Sequence, residues 1–585
     1  MEGDRVGSDE KRIVGATLSR FRASLPILGW LPRYGREDAR GDLVAGLTVG
    51  VVLIPKGMAF AVLAGMPPIY GLYASLVPLL IYPLLGSSRH MAVGLNAVPM
   101  LLVAAGVGSI AVEGTASYIR LAILVTAIAG LIELGMAALR LGFLANLLSR
   151  PVIAGFTAAT ALIIMSSQLG PFIGVELDRS QYLQVVIFRA AAHLADIDWV
   201  TLAIAASSFL IILGLHRWKP LFPAELVVLA GTTLVVWALH LDRLGVATVG
   251  DIPRGLPSPA VPSFSVEEMR ALLPTAIAVA MINFMSVVSL GRIFAARHRY
   301  SIDANQELLA LGGMNVLGSF FRCLPGAGSF SRTAINEQAG ARTPMANAVT
   351  AMVVGLALLF LTPLFRNMPL AALAAIIMVA GLSLIDPAEV RYLFRTKRVD
   401  GWVALVTFVA TLVIGVADGL LLGIAASTVA VLYRQSRPHV AELGHLSATR
   451  SFKNVERFAK AYPIEGLVVL RIEAGFSFFN AQFMKDYILE KADRGGVRAI
   501  VLDAGSVNDL DTTAVEALEE VTELLEERGV EIHFAGLTGP VRDVMRRGGL
   551  GAILGPDRFH LTPDTAVRDI LGRWDREEGT RRLEL

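Results

Sequence analysis

The residues best suited to bind a ligand form a short polar run inside an otherwise apolar stretch. Residues 325–333 read Pro-Gly-Ala-Gly-Ser-Phe-Ser-Arg-Thr, so glycines that allow close backbone approach precede two serine hydroxyls and Arg332. An arginine inside a membrane-spanning segment is energetically expensive and usually has a function. Hydroxyl and guanidinium groups both donate hydrogen bonds, so the run predicts an anion site. The alternative is that Arg332 snorkels to an interface or pairs structurally.

A second polar run, from Gly94 to Val98 (Gly-Leu-Asn-Ala-Val), has the same character. Each run lies at the start of a short segment, 93–107 or 329–340, that is rich in small and polar residues. A helix that begins inside a membrane presents unpaired N–H groups and about half a positive charge at its start. Two such starts that face each other form an anion site in a low-dielectric place.

The segments around these runs read as membrane spans, which need about 20 mostly apolar residues. Twelve candidate spans are 43–62, 69–85, 119–138, 152–170, 199–215, 224–240, 268–291, 304–321, 345–364, 370–385, 401–417 and 419–435. With the two short segments as spans 3 and 10, the count is fourteen. Short, Gly- or Pro-interrupted segments at matching places of two halves are typical of a transporter's binding site. Because each half has an odd number of spans, the repeat must be inverted.

The overall composition supports a membrane protein with a soluble tail. The 585 residues are 54% apolar and only 17% charged, whereas soluble proteins average about 25% charged residues. Charge is sparse over 43–436 and abundant beyond it. We therefore predict a cytoplasmic N-terminal segment (1–42), a membrane anion transport domain (43–436), a cytoplasmic soluble domain (437–575) and a C-terminal tail (576–585).

Several other classes of protein are excluded or disfavoured. The net charge is +2 and the basic residues lie in short loops, so nucleic acid is not an expected partner. The single cysteine, Cys323, excludes an intramolecular disulfide and a cysteine-based metal site. No set of nucleophile, base and orienting group points to an enzyme, and no cofactor or metal is expected. The polar start of the chain predicts no cleavable signal peptide.

Loop charges predict the orientation under the positive-inside rule. With a cytoplasmic N-terminus, the cytoplasmic loops, which contain Lys and Arg, are 86–92, 139–151, 216–223, 292–303, 341–344 and 386–400. The opposite loops, such as 171–198 and 241–267, are poorer in these residues or mixed. We therefore expect a multi-pass protein of the cell (inner) membrane. Both of its termini should lie in the cytoplasm. Glu133, Glu225 and Asp418 lie near predicted span ends, which favours interfacial placement.

The chain after about residue 440 has the pattern of a small α/β domain. Three short apolar runs predict buried strands: 467–472, 499–503 and 530–535. A helix between the last two has a four-residue apolar stripe: Val515, Leu518, Val521 and Leu525. We expect Thr512 or Thr513 to cap this helix and Gly529 to end it.

Several long motifs, in the same order, closely resemble the signature of the sulfate permease (SulP) family. They are 54–61 (Ile-Pro-Lys-Gly-Met-Ala-Phe-Ala), 64–75 (Ala-Gly-Met-Pro-Pro-Ile-Tyr-Gly-Leu-Tyr-Ala-Ser), 86–90 (Gly-Ser-Ser-Arg-His) and 329–336 (Ser-Phe-Ser-Arg-Thr-Ala-Ile-Asn). The resemblance covers most of the chain from about residue 40 onward. It implies fourteen spans in two inverted seven-span repeats, a core domain that moves against a gate domain, and usually a homodimer.

The resemblance also implies an anion site between spans 3 and 10 that spans 1 and 8 complete. The residues carried over are Lys56 and Phe60 on span 1, Asn96 and Ala97 at the start of span 3, Asn283 on span 8, and Ser329, Phe330, Ser331 and Arg332 on span 10. Two positions depart from the family pattern, which generally has glutamine in place of Lys56 and an acid in place of Asn283. The usual Gly-Pro opening of span 3 is Gly94-Leu95 here.

These departures lead to a hypothesis about charge and coupling. The family's carboxylate on span 8 can bind a coupling proton or cation, whereas the amide of Asn283 does not titrate. Lys56 adds a second positive charge beside Arg332 unless it loses its proton. We therefore expect no coupling to protons or sodium through span 8, and a preference for a divalent anion or for anion exchange. In the alternative, Lys56 points away from the site and Asn283 hydrogen-bonds the backbone.

Residues 509–514 (Asp-Leu-Asp-Thr-Thr-Ala) resemble part of a sulfate transporter and anti-sigma factor antagonist (STAS) domain. In free-standing relatives a hydroxyl at this helix start is phosphorylated, and Thr513 has the matching place. A plain helix cap is the alternative role of this residue. A cytosolic partner that binds this domain is a further expectation.

The favoured function is a secondary transporter that moves small anions by alternating access. A sulfate-like dianion, a dicarboxylate and bicarbonate are all compatible with helix N-termini and a cation. An uncoupled, channel-like pathway for chloride or bicarbonate is the first alternative. A membrane sensor that only signals through the soluble tail is the second.

Overall fold

A computed structural model describes residues 25–146, 149–177, 180, 182–219, 222–263, 265–446 and 451–578. It forms two compact units, of which the first ends at Ser427 and the second begins at Thr428. Most of the predicted N-terminal segment (1–24 of 1–42) and most of the predicted tail (579–585 of 576–585) lie outside the described residues.

All fourteen predicted spans contain helix, and the last of these helices continues past Ser427 into the second unit. In chain order they are Arg36–Leu63 (span 1), Ile69–Tyr73 with Val77–Leu85 (span 2), Ala97–Gly108 (span 3), Ala116–Ala138 (span 4), Arg150–Ser167 (span 5), Trp199–Trp218 (span 6), Ala224–Leu239 (span 7), Val266–Arg297 (span 8), Ala304–Ser319 (span 9), Phe330–Gln338 (span 10), Met345–Leu356 (span 11), Leu370–Leu382 (span 12), Arg398–Val413 (span 13) and Val416–Ser436 (span 14). Eight helices among the described residues are long and apolar enough to cross a membrane. Spans 3 and 10 are short helices, as the sequence predicts.

Two of the predicted connections between spans contain short helices. The connection 171–198 overlaps the end of a helix at Leu169–Ile173 and contains another at Leu183–Ala192. The loop 386–400 contains the helix Pro387–Thr396, whose start is capped by Asp386 accepting a hydrogen bond from the Ala388 N–H at 2.9 Å. These helices have 5 to 10 residues, well below the length by which a span is recognised.

The first unit also has two short strands, Val93–Gly94 (β1) and Ala327–Gly328 (β2), and 3-10 turns at Leu31–Arg33, Leu141–Asn146, Leu194–Asp196 and Leu241–Leu244. Further helical segments are the turn of helix Ile27–Trp30, the π-helical turn Ala357–Leu361 and the 3-10 turn Thr362–Phe365. The last two extend span 11 towards span 12. A π turn inserts an extra residue into one helical turn, a feature that often lies at a functional site.

The spans pack as two groups that correspond to the expected core and gate domains. Spans 1–4 pack mainly with spans 8–11, and spans 5–7 pack with spans 12 and 13. Span 14 touches span 13, because a Cβ atom on Gly423 would overlap the Thr407 side chain. Span 1 also packs against spans 7 and 12, so it lies at the boundary between the groups. Gly57 and Gly71 let spans 1 and 2 touch backbone to backbone, because a Cβ atom on Gly71 would overlap the carbonyl of Gly57.

The second unit is an α/β domain with a single seven-stranded sheet among its described residues. Its strands are Val440–Leu446 (β3), Ser451–Asn454 (β4), Ala461–Tyr462 (β5), Leu467–Ile472 (β6), Ala499–Asp503 (β7), Glu531–Ala535 (β8) and Phe559–His560 (β9). Strands β6 to β9 are parallel, and β3 is antiparallel to β4, β5 and β6. The three predicted strands are β6, β7 and β8.

Helices cover both faces of this sheet, which explains its continuous apolar strands. The helices are Ala481–Ala492 (α1), Thr512–Glu527 (α2), Gly539–Arg547 (α3), Leu550–Leu554 (α4) and Pro563–Glu578 (α5). On β6, Leu470 belongs to the core under α1 and α2, while Val469 belongs to the core under α5. The predicted stripe of α2 is buried throughout.

The predicted cap of α2 is wrong. The N-cap residue is Asp511, whose carboxylate accepts a hydrogen bond from the Ala514 N–H at 2.8 Å. Thr512 and Thr513 lie within the first helical turn and both are exposed. A carboxylate also interacts favourably with the positive end of the helix dipole, which gives Asp511 an advantage over a hydroxyl. At the other end, Gly529 follows the helix with a positive φ of 68°, as predicted.

Candidate anion site at the starts of spans 3 and 10

A two-stranded antiparallel sheet brings the starts of spans 3 and 10 side by side. Strand β1 (Val93–Gly94) pairs with strand β2 (Ala327–Gly328), with Val93 opposite Gly328. Gly94 has a φ of 145°, which an L side chain rarely adopts. Two half-helices that the chain separates by more than two hundred residues therefore begin at the same place in the fold.

Polar side chains from spans 10 and 11 hold the strand before span 3 in position. Asn347 donates a hydrogen bond to the Met91 carbonyl at 2.8 Å and accepts one from the Val93 N–H at 3.3 Å. The Thr333 hydroxyl accepts a hydrogen bond from the backbone N–H of Ala92 at 3.1 Å. Sequence reasoning did not assign Asn347 or Thr333 to the site, although Thr333 follows Arg332 in the motif that resembles the SulP family.

The start of span 3 satisfies its own first N–H group. The Asn96 side chain accepts a hydrogen bond from the Ala97 N–H at 2.9 Å, and its amide also donates to the Gly328 carbonyl at 3.4 Å. Asn96 is therefore both the cap of span 3 and a link to β2. Ala97 is buried, with 3% of its surface exposed.

The start of span 10 has no such cap. Ser329 occupies the N-cap position, but its side chain makes no capping hydrogen bond and lies 3.5 Å from the Ser331 hydroxyl. Phe330 is 54% exposed and lies 6.0 Å from the ring of Phe294. Ser331 is exposed as well. Ser329 itself is buried, with 8% of its surface exposed. The start of span 10 therefore holds one buried and one exposed serine, and Ser329 does not cap the helix.

Arg332 carries the main charge at this place. It is 1% exposed, and none of its three guanidinium nitrogens has a hydrogen-bond partner among the described residues. The guanidinium lies beside β1, because a Cβ atom on Gly94 would be 3.3 Å from Nη2. A buried cation without a partner is energetically expensive, so the alternative of a structural ion pair has no support among the described residues.

Lys56 has a partner, in contrast to Arg332. Its ammonium lies 2.9 Å from the Glu225 carboxylate of span 7, and the two side chains are 12% and 6% exposed. His216 of span 6 lies 3.5 Å from the same carboxylate oxygen. The interfacial placement predicted for Glu225 is wrong, because Lys56 stabilises it as a buried ion pair. Phe60 lies one turn along span 1 and is 6% exposed.

Asn283 contacts a carboxylate that the sequence did not connect with it. Its amide nitrogen lies 3.5 Å from Glu133 of span 4, and Asn315 of span 9 donates to the other Glu133 oxygen at 2.8 Å. All three residues have 0% exposure. The interfacial placement predicted for Glu133 is therefore wrong. The Asn283 contact is also to a side chain, not to the backbone group that the alternative reading proposed.

Thr513, the predicted phosphorylation site, belongs to the second unit. It is exposed at the start of α2, next to a turn in which Asp511 also accepts a hydrogen bond from the Phe478 N–H at 2.7 Å. Because Asp511 is the helix cap, the hydroxyl of Thr513 is not needed for that role. The phosphorylation itself stays a prediction.

The fold thus defines a polytopic helical membrane protein with a half-helix in each repeat, followed in the sequence by an α/β domain. The Sulfate permease family matches residues 40–407, and the STAS domain matches residues 459–566. The chain belongs to the sulfate permease family and carries a STAS domain. It is an anion transporter of that family, which consists of transporters and not enzymes, as the sequence predicts.

Two relatives extend over nearly the whole chain. A probable sulfate transporter of Mycobacterium tuberculosis is 36% identical over 548 residues, which cover 92% of this chain and 98% of that protein. Sulfate transporter 4.1, chloroplastic, of Arabidopsis thaliana is 34% identical over 567 residues, which cover 93% of this chain and 82% of that protein.

Solved structures confirm the fold. Murine Solute Carrier 26 family member A9, an anion transporter in the inward-facing state, has a TM-score of 0.87 at 24% identity, over 95% of both chains. The transmembrane domain of a cyanobacterium bicarbonate transporter has a TM-score of 0.59 at 23% identity, over 67% of this chain and 98% of that domain. The fourteen-span arrangement predicted from the sequence fits this fold, whereas fold alone does not identify a substrate.

Proposed function

We propose that this chain is a secondary transporter that binds a small anion between the starts of spans 3 and 10. The observation that carries the proposal is Arg332, a buried guanidinium without a hydrogen-bond partner among the described residues. An anion would supply the missing counter-charge and accept its hydrogen bonds. The uncapped N–H groups and hydroxyls of Ser329 and Ser331 would complete the shell from the start of span 10.

The preferred substrate in this proposal is a sulfate-like dianion. Two relatives along most of the chain are named as sulfate transporters, while dicarboxylates and bicarbonate remain the competing substrates. Lys56 and Glu225 together contribute no net charge while they are paired, so Arg332 is the principal cation. Lys56 lies one turn after Leu53 on span 1. A Cβ atom on Gly94 would lie 3.5 Å from the Leu53 side chain and 3.3 Å from Nη2 of Arg332, so Leu53 and Arg332 flank the same strand. A dianion could therefore draw Lys56 away from Glu225 and receive a second positive charge.

The route across the membrane in this proposal is alternating access. Spans 1 and 10 belong to the first helix group, and spans 7 and 12 belong to the second. Movement of one group against the other would change the contact between Lys56 and Glu225, which connects the groups. Phe60, Asn96, Ala97, Asn283 and Phe330 would line or support the site from the first group.

Orientation, assembly and regulation are further parts of the proposal. The Lys- and Arg-containing loops and both termini would face the cytoplasm, and the protein would form a homodimer in the cell membrane. The soluble domain would bind a cytosolic partner, with phosphorylation of Thr513 as a control. The exposed position of Thr513 supports access by a kinase.

The experiment that tests the proposal measures labelled sulfate flux with the purified full chain in liposomes. Saturable uptake that is stimulated by sulfate on the opposite side indicates a transporter, while flux without saturation or trans-stimulation indicates the channel-like alternative. Dicarboxylate, bicarbonate and chloride then compete as unlabelled anions. The variant Arg332→Met should lose most of this flux. Arg366→Ala is its matched control and should keep the flux, because this arginine is 64% exposed in its side chain and pairs with Asp251 at 3.3 Å. Absence of any anion flux would reject the proposal.

A further inference from the structure

Glu133 is a fully buried carboxyl group on span 4. Among the described residues, its two oxygens accept hydrogen bonds only from neutral amides, Asn283 at 3.5 Å and Asn315 at 2.8 Å, and no cation pairs with it. Spans 3, 8 and 9 and the 3-10 turn Leu141–Asn146 pack against span 4. Among the described residues of these elements, the groups that face Glu133 are these two amides.

Several charged side chains on the same elements bond to partners other than Glu133. Arg120 of span 4 pairs with Glu268 of span 8 at 2.5 Å, near the opposite end of span 4 from Glu133. Arg297 of span 8 pairs with Glu337 at 3.3 Å. Glu307 of span 9 accepts hydrogen bonds from the Tyr82 hydroxyl and from Ser87 and Ser88. None of these groups neutralises Glu133.

The surroundings of Glu133 leave little room for a hydrated cation. Spans 4 and 9 touch on both sides of it, because a Cβ atom on Gly130 would lie 2.7 Å from the Val316 nitrogen and one on Gly312 would lie 2.7 Å from the Leu134 nitrogen. An ionised carboxylate in such a place is energetically expensive. A proton removes this expense without requiring any space.

Asn315 connects Glu133 with the start of span 10. The amide nitrogen of Asn315 donates to both Glu133 and the Gly326 carbonyl, at 2.8 and 3.4 Å, and its oxygen accepts from the Gly326 N–H at 2.8 Å. Gly326 directly precedes β2, which leads into Ser329 and the proposed anion site. A change in the hydrogen bonds of Glu133 therefore reaches the segment that would hold the anion.

Asn283 supplies an acceptor that suits a protonated carboxyl. Its Oδ1 atom is buried and has no hydrogen-bond partner among the described residues. Rotation of the Asn283 amide by half a turn would offer this oxygen to a carboxyl O–H, since an amide has a donor and an acceptor side. The same side chain can therefore serve both states of Glu133, as a donor to the carboxylate or as an acceptor from the acid.

We propose that Glu133, held by Asn283 and Asn315, is a proton-binding site on span 4 that couples anion movement to the proton gradient. The proposal rests on the proposed function. With its proton, Glu133 is neutral and does not oppose an anion at Arg332, so the two ligands favour each other's binding. This linkage is reciprocal, and proton and anion move in the same direction. The proton binds to a carboxylate oxygen and leaves it unchanged, with no covalent step.

The test uses the full chain in liposomes with the membrane potential clamped to zero. With an inward pH gradient of one unit, the wild type should accumulate sulfate up to about tenfold for each coupled proton. Glu133→Gln, which resembles the protonated side chain, should retain sulfate-for-sulfate exchange and lose the accumulation. Asp418→Asn is the matched control, because it removes an exposed carboxylate of span 14 and should accumulate sulfate like the wild type.

Three results would overturn the proposal while leaving anion transport intact. They are a wild type that exchanges sulfate without accumulating it, a Glu133→Gln variant that accumulates it normally, and accumulation driven by a sodium gradient without a proton gradient. A folded Glu133→Gln variant that loses exchange would also overturn it. If that variant does not fold, the test uses a pH-sensitive dye trapped inside wild-type liposomes. Sulfate entry must then acidify the interior, and sulfate entry without acidification would overturn the proposal. Absence of exchange in the wild type would instead reject the proposed function itself.

Discussion

The two half-helices begin at the same place in the fold but satisfy their first N–H groups in different ways. Span 3 is capped by Asn96, whose side chain also bonds to the neighbouring strand. Span 10 begins at Ser329 without a side-chain cap, and Arg332 in its first turn has no partner among the described residues. The inverted repeat thus contains one closed helix start and one open one.

Because of this difference, the symmetry of the backbone does not imply that the two half-helices have the same function. A helix start that is already capped is a poor ligand for an anion, because its donors are occupied. The open start and the unpaired guanidinium provide donors and charge on one side only. We therefore expect span 10 to bind the anion and span 3 to position it, and each prediction below tests one part of this division.

The largest effect is expected from Arg332→Met, which removes the charge and retains much of the side-chain volume. Transport should fall by on the order of 100-fold or more, since loss of a buried charged partner usually changes binding by several kcal/mol. The melting temperature without anion should stay the same or rise, because an unpaired buried charge is removed. Sulfate should no longer raise it. A lower melting temperature with normal transport would mean that Arg332 has a structural role.

The second effect concerns the cation that does have a partner. Glu225→Gln leaves the Lys56 ammonium buried and unpaired, and breaking such a pair usually lowers stability by about 3–5 kcal/mol. Sulfate should then raise the melting temperature more than it does in the wild type, because the anion takes over the role of Glu225. The double variant Lys56→Gln/Glu225→Gln should recover most of the lost stability.

The two single variants, Lys56→Gln and Glu225→Gln, also test the charge hypothesis. If Lys56 contributes to the site, Lys56→Gln should weaken divalent anions more than monovalent ones in competition assays, with Glu225→Gln changing them in the opposite direction. An equal effect on both kinds of anion would show that Lys56 only stabilises the contact between spans 1 and 7.

The closed and open helix starts were partly predictable from the sequence. Glycine and proline interrupt the apolar pattern before both half-helices, and local interruptions of this kind are visible without a structure. The caps were not equally visible. Asn96 was selected through the family resemblance, while the lack of a cap at Ser329 depends on the rotamer that its backbone and neighbours allow.

The buried acids show what the sequence could not provide. Glu133 and Glu225 lie near the ends of apolar runs, and the same pattern is produced by acids at a membrane interface. Their real positions depend on partners 150 residues or more away in the chain, as the contacts of Glu133 with Asn283 and of Glu225 with Lys56 show. No local periodicity encodes such a contact, because it results from how helices distant in the sequence pack against each other.

A smaller effect is expected at the closed start. Asn96→Ala removes the cap of span 3 and its link to the Gly328 carbonyl, and loss of a cap usually costs about 1 kcal/mol. The melting temperature should fall slightly, and sulfate affinity should fall only a few-fold. Ser329→Ala is the matched variant at the open start. It should lower sulfate affinity without lowering the melting temperature, since Ser329 caps nothing. The opposite assignment of the two effects would contradict the division between spans 3 and 10.

The smallest effect is expected at a third helix start, in the soluble domain, where a carboxylate is the cap. Asp511→Ala should destabilise the first turn of α2 by about 1 kcal/mol, because Ala514 loses the acceptor of its N–H group. Hydrogen exchange of the full chain should then be faster at residues 513–515 and unchanged in β7. Thr513→Ala should leave this exchange unchanged, since its hydroxyl does not cap the helix. Equal protection in Asp511→Ala and the wild type would show that side-chain caps do not hold these helix starts. In that case, the contrast between Asn96 and Ser329 would also lose its energetic meaning, and Arg332 alone would distinguish the two half-helices.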